Sequence, residues 1–451
     1  MKWTRSRTAS ALAIGAASAM LLTACSSGDD GTEEPTDAPE TAEETEEPAE
    51  AEPVTLNVSY WGTFGLESLA EQYTADNPHV TINLDSGEYG AQHDKLTQAL
   101  IAGSGASEVS AIDEGYMASF LAQQENFVNL LDLGAGKYEE EYLDWKWGQA
   151  ASADGSYVIG LGSDVGGLAM CYRHDLFAEA GLPDAREDVS AAWGEGWGDY
   201  IELGKEYVGA TDAAFVDNVS QIMNAAQTQL GTGYAYYNRN NELDMEASKP
   251  AFDVALQVIT EGLSANIAPW GPEWNTGFAN GDFATLPCPA WMRANIIDSG
   301  APAGTWDIAD IPGPGGNWGG SFYTIPAQFD ENTTQEAYNF IEWVIQPEQQ
   351  LAIFAETGNL PSQSSLYSDE AIQDPEHPAQ AEVNAFFNGA PGGQIFSKTA
   401  EEIPGAIYYA PNNAAIRSAV ETVLNEVQAG TIAAEDAWDE AVAAAEAADA
   451  A

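Results

Sequence analysis

Apolar residues recur with two alternating periods along residues 54–133. Segments in which every second residue is apolar predict strands, and segments with apolar residues three or four apart predict helices. The predicted strands are 54–62, 80–87 and 107–113, and the predicted helices between and after them are 66–78, 93–103 and 116–133. Because strands and helices alternate, we expect a parallel sheet with helices on both faces. Ligands bind such sheets at the edge where the strands end.

The rest of the chain continues this mixture of strands and helices. An extended run with Gly-rich turns covers 155–173, another strand covers 282–288, and a Gly/Pro-rich loop at 311–321 leads into a further strand. The further predicted helices are 199–208, 215–230, 247–262, 335–357, 412–428 and 433–451. From residue 54 onward the chain has about 400 residues, which is enough for two α/β domains.

The N-terminus carries a targeting signal. Three basic residues precede a short apolar run at 9–22, which is too short to span a membrane as a mature helix. The segment "LTAC" at 22–25 resembles a bacterial lipoprotein signal, which implies cleavage after a 1–24 signal peptide and lipidation of Cys25. The alternative is an ordinary secretory signal with an incidental cysteine. We therefore expect an extracytoplasmic protein tethered to the outer face of the cytoplasmic membrane.

The segment after Cys25 is predicted to be disordered. Residues 26–53 contain twelve Asp or Glu, no Lys or Arg, and no large apolar residue. Such a segment cannot bury enough surface to fold. It is interpreted as a spacer (25–53) between membrane and domain, or simply as a solvated tail.

The charge of the chain excludes several classes of partner. The whole chain has 14 Lys or Arg against 71 Asp or Glu, a net charge of −57. Without the signal and the spacer, 11 basic and 59 acidic residues remain, so residues 54–451 carry −48. This balance argues against nucleic acid or an anionic membrane surface as a partner, and it disfavours anionic ligands.

The sequence offers no clear catalytic, metal or cofactor motif. Its four histidines are not spaced as HExxH or as a His/Cys metal cluster, and neither a G-x-S-x-G elbow nor a P-loop occurs. Paired carboxylates of a glycosidase remain possible, because acidic pairs arise by chance in so acidic a chain. We expect a binding protein without metal or cofactor rather than an enzyme.

Four segments together carry a resemblance to a known family. They are "QALIAGSGASEVSAID" (98–113), "DGSYVIGLGSDVGGLAMCYRHDLFAEAGLP" (154–183), "FANGDFATLPCPAWM" (278–292) and a segment from "GGSFYTIPAQF" to "NLPSQ" (319–363). In this order they resemble the extracellular solute-binding proteins of ABC sugar importers, of which the maltose-binding type is familiar. The pairing of "CPAWM" with "GNWGG" is similar to the cellobiose/oligosaccharide-binding branch of Gram-positive bacteria.

The resemblance implies a two-lobed α/β fold of the type II periplasmic-binding-protein class. Each lobe is a sheet flanked by helices, and the lobes are joined by three hinge crossings. The expected crossings lie near 160–165, 319–324 and 358–366. The expected lobes are 54–162 with 322–362 and 163–321 with 363–451.

A neutral sugar needs flat apolar surface for its C–H faces and polar groups for its hydroxyls. In the family, the Trp after the F-x-x-G-x-x-A strand stacks on sugar, and Trp291 matches that position. The other aromatic candidates, Trp61, Tyr89, Trp274 and Trp318, have packing in the core or between lobes as their alternative. The polar candidates are Asp113, Glu114, Asp164 and Arg417, with a surface acid or salt bridge as the alternative. Backbone candidates are Gly319, Gly320 and Ser321, which serve equally well as a hinge turn.

Two cysteines remain after lipidation of Cys25. Cys171 and Cys288 would lie in an oxidising compartment, which favours a disulfide, and the alternative is two buried thiols. The resemblance places both on strands of the second lobe.

The expected function is capture of a neutral oligosaccharide, cello-oligosaccharides first, by a monomer that delivers it to an ABC permease. The alternatives are a membrane-anchored glycoside hydrolase and a binding protein for a solute other than sugar.

Overall fold

Strands and helices alternate over residues 54–121 in the order that the apolar periods predict. Further along, the strands Ala214–Val216 and Trp306–Asp310 were not predicted, and the helix predicted at 335–357 is two helices. The computed structural model describes residues 52–194, 196–230, 233–403 and 407–450. Its strands, in chain order, are β1 Val54–Trp61, β2 Val80–Gly87, β3 Val109–Asp113, β4 Gly160–Gly162, β5 Asp164–Val165, β6 Leu168–Arg173, β7 Ala214–Val216, β8 Phe283–Pro289, β9 Trp306–Asp310, β10 Ser321–Thr324 and β11 Leu360–Pro361.

The helices surround these strands. In chain order they are α1 Leu66–Asp76, α2 Tyr89–Ala102, α3 Glu114–Leu121, α4 Asp144–Ala150, α5 His174–Ala180, α6 Arg186–Ala192, α7 Trp197–Ala210, α8 Val219–Thr228, α9 Lys249–Thr260, α10 Pro272–Asn280, α11 Met292–Asp298, α12 Glu331–Val344, α13 Pro347–Thr357, α14 Glu370–Gln373, α15 Ala381–Phe386, α16 Gly392–Glu401, α17 Asn413–Gln428 and α18 Ala437–Asp449. No helix in the described ranges is both long and apolar enough to cross a membrane. The predicted signal peptide, Cys25 and nearly all of the acidic spacer lie outside the described residues, so they stay predictions.

The first sheet has the strand order β2-β1-β3-β10-β4. Strand β1 runs parallel to β2 and β3, and β10 runs antiparallel to β3 and β4. Fully buried Leu56 and Val58 on β1 pack in a core that also receives the apolar face of α12. Because β1, β2 and β3 are parallel, their last residues meet at one edge of the sheet, as predicted.

The second sheet has the order β7-β8-β6-β9, with β6 antiparallel to both of its neighbours. Every residue of β6 and β8 is buried, which is typical of central strands. Strand β8 continues through Pro287 and Pro289, one residue beyond the predicted end. Strand β7 pairs with β8 only as far as Thr285, so no further ladder on that side requires the missing N–H groups of the two prolines.

The predicted disulfide is confirmed. Cys171 on β6 and Cys288 on β8 are bonded, with 5.4 Å between their Cα atoms, and both are fully buried. The bond therefore ties two central strands of the second sheet together.

The chain passes between the two larger sheets at two places. It leaves the first sheet after β4 and enters the second at β6, and it returns between β9 and β10. Between the sheets, β5 pairs with β11. The fold is therefore a two-lobed α/β arrangement with the changes of sheet close to the expected crossings. The exact lobe boundaries stay a prediction.

Candidate functional site

Four aromatic rings lie together at the edge of the first sheet where β1 and β3 end. We call Trp61, Tyr89, His93 and Tyr116 the lobe-one aromatic cluster. The His93 ring stacks on Tyr116 at 3.9 Å between centroids, and Trp61 lies 4.6 Å from His93 and 5.4 Å from Tyr89. Tyr89 is 37% exposed, so part of the cluster faces solvent.

Asp113 fixes the orientation of this cluster. Its carboxylate accepts a hydrogen bond from the Tyr89 hydroxyl at 3.0 Å, and its backbone N–H donates to Nε2 of His93 at 3.1 Å. Because Nε2 accepts, the proton of the neutral ring lies on Nδ1, which is 2.8 Å from the Tyr89 carbonyl oxygen. Burial lowers the pKa of His93, which favours the same neutral form.

Three tryptophan rings form a second surface beside the second sheet. We call Trp270, Trp291 and Trp318 the tryptophan platform. Trp291 lies 5.4 Å from Trp318 and 5.9 Å from Trp270 between ring centroids, and its Nε1 donates to the Trp318 carbonyl oxygen at 3.1 Å. Trp291 and Trp318 are both half-buried. The rings are therefore held by each other and by the backbone before any ligand arrives.

Trp270 is the most exposed member of the platform and was not among the sequence candidates. It is 56% exposed, and its φ of +68° lies in the left-handed region, which costs an L-residue about 1–2 kcal/mol. An exposed large ring on strained backbone points to function. The signal that could have found it is its position before the turn residues of "WGP", four residues ahead of Trp274.

Trp274 lies beneath this surface. It is 1% exposed, packs 4.9 Å from Trp270 between centroids, and donates from Nε1 to the Asp217 carboxylate at 2.7 Å. Trp274 is therefore a packed core aromatic in this structure, which was the alternative to a ligand contact.

The Glu114 carboxylate lies at the start of α3 and is 6% exposed. It accepts hydrogen bonds from Gln149 Nε2 at 3.0 Å, Asn317 Nδ2 at 2.6 Å and the Gly319 backbone N–H at 2.8 Å. Burial and the nearby Asp113 raise its pKa to about 7, against the opposing effect of Lys146 and the hydrogen-bond donors.

Asp164 and Lys146 lie in the same buried region. Asp164 is 8% exposed and accepts from Ser163 Oγ at 2.7 Å and from the Ser321 backbone N–H at 2.9 Å. Lys146 is fully buried, and its ammonium group lies 3.7 Å from the centroid of the Phe322 ring. Burial raises the pKa of Asp164 and lowers that of Lys146, and the charge of each group opposes the shift of the other.

Gly319 and Gly320 have positive φ angles of +81° and +100°, as a tight turn requires. A Cβ on Gly319 would lie 3.2 Å from Nε1 of Trp291, and one on Gly320 would lie 2.6 Å from the Asp164 carbonyl oxygen. The two glycines and Ser321 thus bring the backbone close to other protein groups.

Arg417 lies on α17, in the part of the chain assigned to the second lobe. Its side chain is 43% exposed, with Nε 3.7 Å from a Glu421 carboxylate oxygen. Burial raises the pKa of Tyr89 and Tyr116, and the Arg417 charge opposes both shifts. Arg417 therefore lies near the lobe-one aromatic cluster, where the two lobes approach each other.

A small cavity lies beside the Glu114 carboxylate. Its volume is about 10 Å³, which is room for about one water molecule. Its lining residues are Glu114, Trp145, Gln149, Thr228, Asn317, Ile403, Ile407 and Tyr409. In this structure a sugar ring cannot reach the Glu114 carboxylate.

Comparison with known proteins places the chain in a family. A family model described as bacterial extracellular solute-binding protein matches residues 68–379. The chain belongs to this family. A solved extracellular solute-binding protein of family 1 is 32% identical to this solute-binding protein, with a TM-score of 0.79 over 88% of this chain and 100% of that one.

The names of two further relatives state a ligand. The arabinooligosaccharide-binding protein of Bacillus subtilis (strain 168) is 24% identical over 260 residues, which is 53% of this solute-binding protein and 57% of that relative. The ABC transporter associated binding protein from B. animalis subsp. lactis Bl-04, solved with beta-1,6-galactobiose, is 21% identical, with a TM-score of 0.72 over 87% of this chain and 96% of that one. At this identity the second likeness shows the fold alone.

The described part of this solute-binding protein contains no group of three or more His, Cys, Asp or Glu side chains able to hold a metal ion. Of its sequence-predicted site residues, Trp61 and Tyr89 lie in the lobe-one aromatic cluster and Trp291 and Trp318 in the tryptophan platform. Glu114 and Asp164 are buried, and Arg417 is partly exposed on α17. The chemistry they offer is apolar stacking and hydrogen bonding.

Proposed function

We propose that this protein is the substrate-binding component of an ABC transporter and captures a neutral oligosaccharide between its two lobes. The observation that carries the proposal is the tryptophan platform, above all the exposed and strained ring of Trp270. A flat indole face matches the apolar C–H face of a sugar ring. The lobe-one aromatic cluster offers a second such surface, which includes Trp61.

The polar groups that remain accessible suit sugar hydroxyls. Asp113 and Tyr89 are joined by a hydrogen bond at the rim of the lobe-one aromatic cluster, and Arg417 lies nearby. A carboxylate accepts hydrogen bonds from hydroxyls, and a guanidinium donates to them. The proposed contacts are therefore Trp61, Tyr89, Asp113, Trp270, Trp291, Trp318 and Arg417. The proposed positioning residues, which hold these contact residues without touching the ligand, are Asp164, Gly319, Gly320 and Ser321.

The ligand class follows from charge and from the relatives. A chain with −48 over residues 54–451 repels anions, so an uncharged oligosaccharide fits better than a uronate or a phosphate ester. Cello-oligosaccharides are the first candidates from the sequence. The relatives add arabino-oligosaccharides and β-1,6-galactobiose to the list to be tested.

The proposed setting is the outer face of the cytoplasmic membrane. Lipidation of Cys25 and the acidic spacer would tether a monomer there, within reach of the transmembrane permease subunits. Support comes from the sequence of the N-terminus, which has the charge pattern of an export signal.

A thermal-shift screen against cello-, arabino-, xylo-, malto- and galacto-oligosaccharides tests the proposal. A sugar at 100 times its Kd stabilises the folded state by about 2.7 kcal/mol, which is readily measured. No shift with any of these sugars would contradict the proposal, and a shift with peptides or polyamines instead would favour another solute. Release of reducing sugar from a polysaccharide would favour the glycoside hydrolase alternative.

A further inference from the structure

The Glu114 carboxylate is hydrogen-bonded to the segment that carries Trp318. Two of its three hydrogen bonds come from residues on either side of that tryptophan, namely Asn317 at 2.6 Å and Gly319 at 2.8 Å. We call residues 317–320 the crossing segment, because they lead from the second sheet into β10 of the first. Since all three partners of the carboxylate are N–H donors, its ionised form is the stronger acceptor for every one of them.

The crossing segment in turn holds the tryptophan platform. The Trp318 carbonyl oxygen accepts from Nε1 of Trp291 at 3.1 Å, and the Trp318 backbone N–H donates to the Gly166 carbonyl oxygen at 2.8 Å. The Gly166 N–H donates to Asn317 Oδ1 at 2.9 Å. A Cβ on Gly166 would lie 1.8 Å from the Trp318 carbonyl oxygen, so the two backbones are in direct contact.

We propose that Glu114 is a positioning residue: its ionised carboxylate holds Trp318, and through it Trp291, in the geometry that receives the ligand. The role in ligand affinity rests on the proposed function, whereas the effect on the rings does not. Glu114 touches no ligand in this scheme. Protonation of the Glu114 carboxylate is therefore expected to change the arrangement of the tryptophan platform.

Several charged groups face this carboxylate. Lys146 on α4 favours the ionised form, whereas Asp113 at the end of β3 opposes it. Asp164 lies next to Lys146, and burial together with the nearby Glu114 charge raises the pKa of Tyr409. Below about pH 7 the carboxyl group takes up a proton, and its O–H meets three donors and no acceptor among the hydrogen-bond partners described. The bonds that its two oxygens accept then lose their charge assistance, and the crossing segment is held less firmly.

The first test needs no ligand. The full-length protein is labelled with 5-fluorotryptophan, and the ¹⁹F resonances of Trp318 and Trp291 are assigned with Trp→Phe variants. Between about pH 5.5 and about pH 8.5 both resonances are expected to shift with one inflection near pH 7 in the wild-type protein. Glu114→Gln is expected to abolish that inflection. Trp438 on α18 serves as a resonance that stays constant.

A second resonance separates Glu114 from His93, another buried group whose pKa is shifted. Burial also raises the pKa of Asp217, which accepts from Trp274, to about 7 and lowers that of Lys146 to about 8, so only the inflection that Glu114→Gln removes is assigned to Glu114. His93 lies in the lobe-one aromatic cluster, so its protonation affects Trp61 rather than the platform. Glu114→Gln is therefore expected to leave the pH response of Trp61 intact. If Trp318 and Trp291 show no inflection in the wild-type protein, or keep it in Glu114→Gln, the proposed role of Glu114 is wrong.

The second test measures affinity by isothermal titration calorimetry with the sugar that gives the largest thermal shift. At about pH 8 the wild-type protein is expected to bind at least about ten-fold more tightly than Glu114→Gln or Asn317→Ala, because each variant loses a hydrogen bond to the crossing segment. Gln149→Ala is the matched control, since it removes a bond to the same carboxylate but leaves both bonds to the crossing segment. It is expected to change the affinity less than about three-fold.

The outcomes distinguish the two proposals. Absence of any sugar response in the wild-type protein contradicts the proposed function, and the ¹⁹F titration still decides the role of Glu114. Sugar binding that is equal in wild type, Asn317→Ala and Glu114→Gln, with the same pH profile, overturns the role of Glu114 alone. If Glu114→Gln does not fold, the wild-type titration decides: an inflection in Trp318 and Trp291 near pH 7 supports the role of Glu114, and its absence overturns it.

Discussion

Replacement of Trp270 by glycine separates the contribution of this residue to binding from its contribution to stability. Glycine adopts a φ of +68° at no steric cost, so the substitution removes about 1–2 kcal/mol of backbone strain. Against this gain stand the lost ring contacts with Trp274 and Trp291, each worth about 0.5–1.5 kcal/mol. The substitution also loses the burial of about 90 Å² of the ring, worth about 2 kcal/mol, so we expect the free energy of unfolding to fall by about 1–4 kcal/mol.

The effect on sugar affinity follows from the exposed area of the ring. A tryptophan side chain has about 150–250 Å² to bury, so 56% exposure leaves about 110 Å² accessible. A sugar that covers one face removes about half of this area from water. At about 25 cal/mol per Å² the contact contributes about 1.4 kcal/mol, which is about ten-fold in Kd.

The assay combines calorimetric titration with urea unfolding of the same variants. Trp270→Asn repeats the test with a residue that also tolerates the left-handed region. Trp438→Ala is the control, since it removes a half-buried tryptophan on α18 and is expected to lower stability without changing Kd. Unchanged sugar affinity in both Trp270 variants would refute the role of this ring, and a loss of stability above about 4 kcal/mol would refute the estimate of strain.

Two further predictions concern the scaffold. The pair Cys171→Ala and Cys288→Ala opens a loop of 117 residues and is expected to lower the free energy of unfolding by up to about 5 kcal/mol, and reductant should then affect the wild-type protein but not the variant in urea unfolding. Gly166→Ala places a Cβ against the Trp318 carbonyl oxygen and is expected to cost about 1–3 kcal/mol, whereas Gly148→Ala on α4 meets no atom within 4 Å and is expected to stabilise by about 0.5–1 kcal/mol in the same assay.

Local patterns predict the frame of this protein well. The alternating periods place Trp61 and Asp113 at the ends of β1 and β3, and these residues do lie at one edge of a parallel sheet. The disulfide was also predictable, because two cysteines in an exported chain have few other fates. These features depend on strand periodicity and on compartment, both of which are visible in a single sequence.

The environment of the acidic residues could not be predicted in the same way. The sequence shows Glu114 after a strand, but its two partners in the crossing segment are 203 and 205 residues away along the chain. Trp270 was missed for a related reason, because its exposure depends on how α10 and the platform pack.

The prolines of β8 show the reverse case. A local rule predicted that the strand would end by Cys288, and the actual pairing allows it to continue to Pro289.

The scarce basic residues lie in positions that the net charge alone does not suggest. Lys146 and Arg293 are at most 1% exposed, and Arg293 donates to the backbone carbonyl oxygens of Ala290 and Gly358. Burial lowers the pKa of Arg293 to about 10, which still leaves it charged near neutral pH. Because these cations lie inside the protein, they do little to offset the acidic surface. Four acidic residues, Glu114, Asp164, Asp217 and Asp307, are buried as well, so burial leaves the acidic excess of the outer surface nearly as large as the composition implies. That excess favours an uncharged ligand held by stacking and hydrogen bonds.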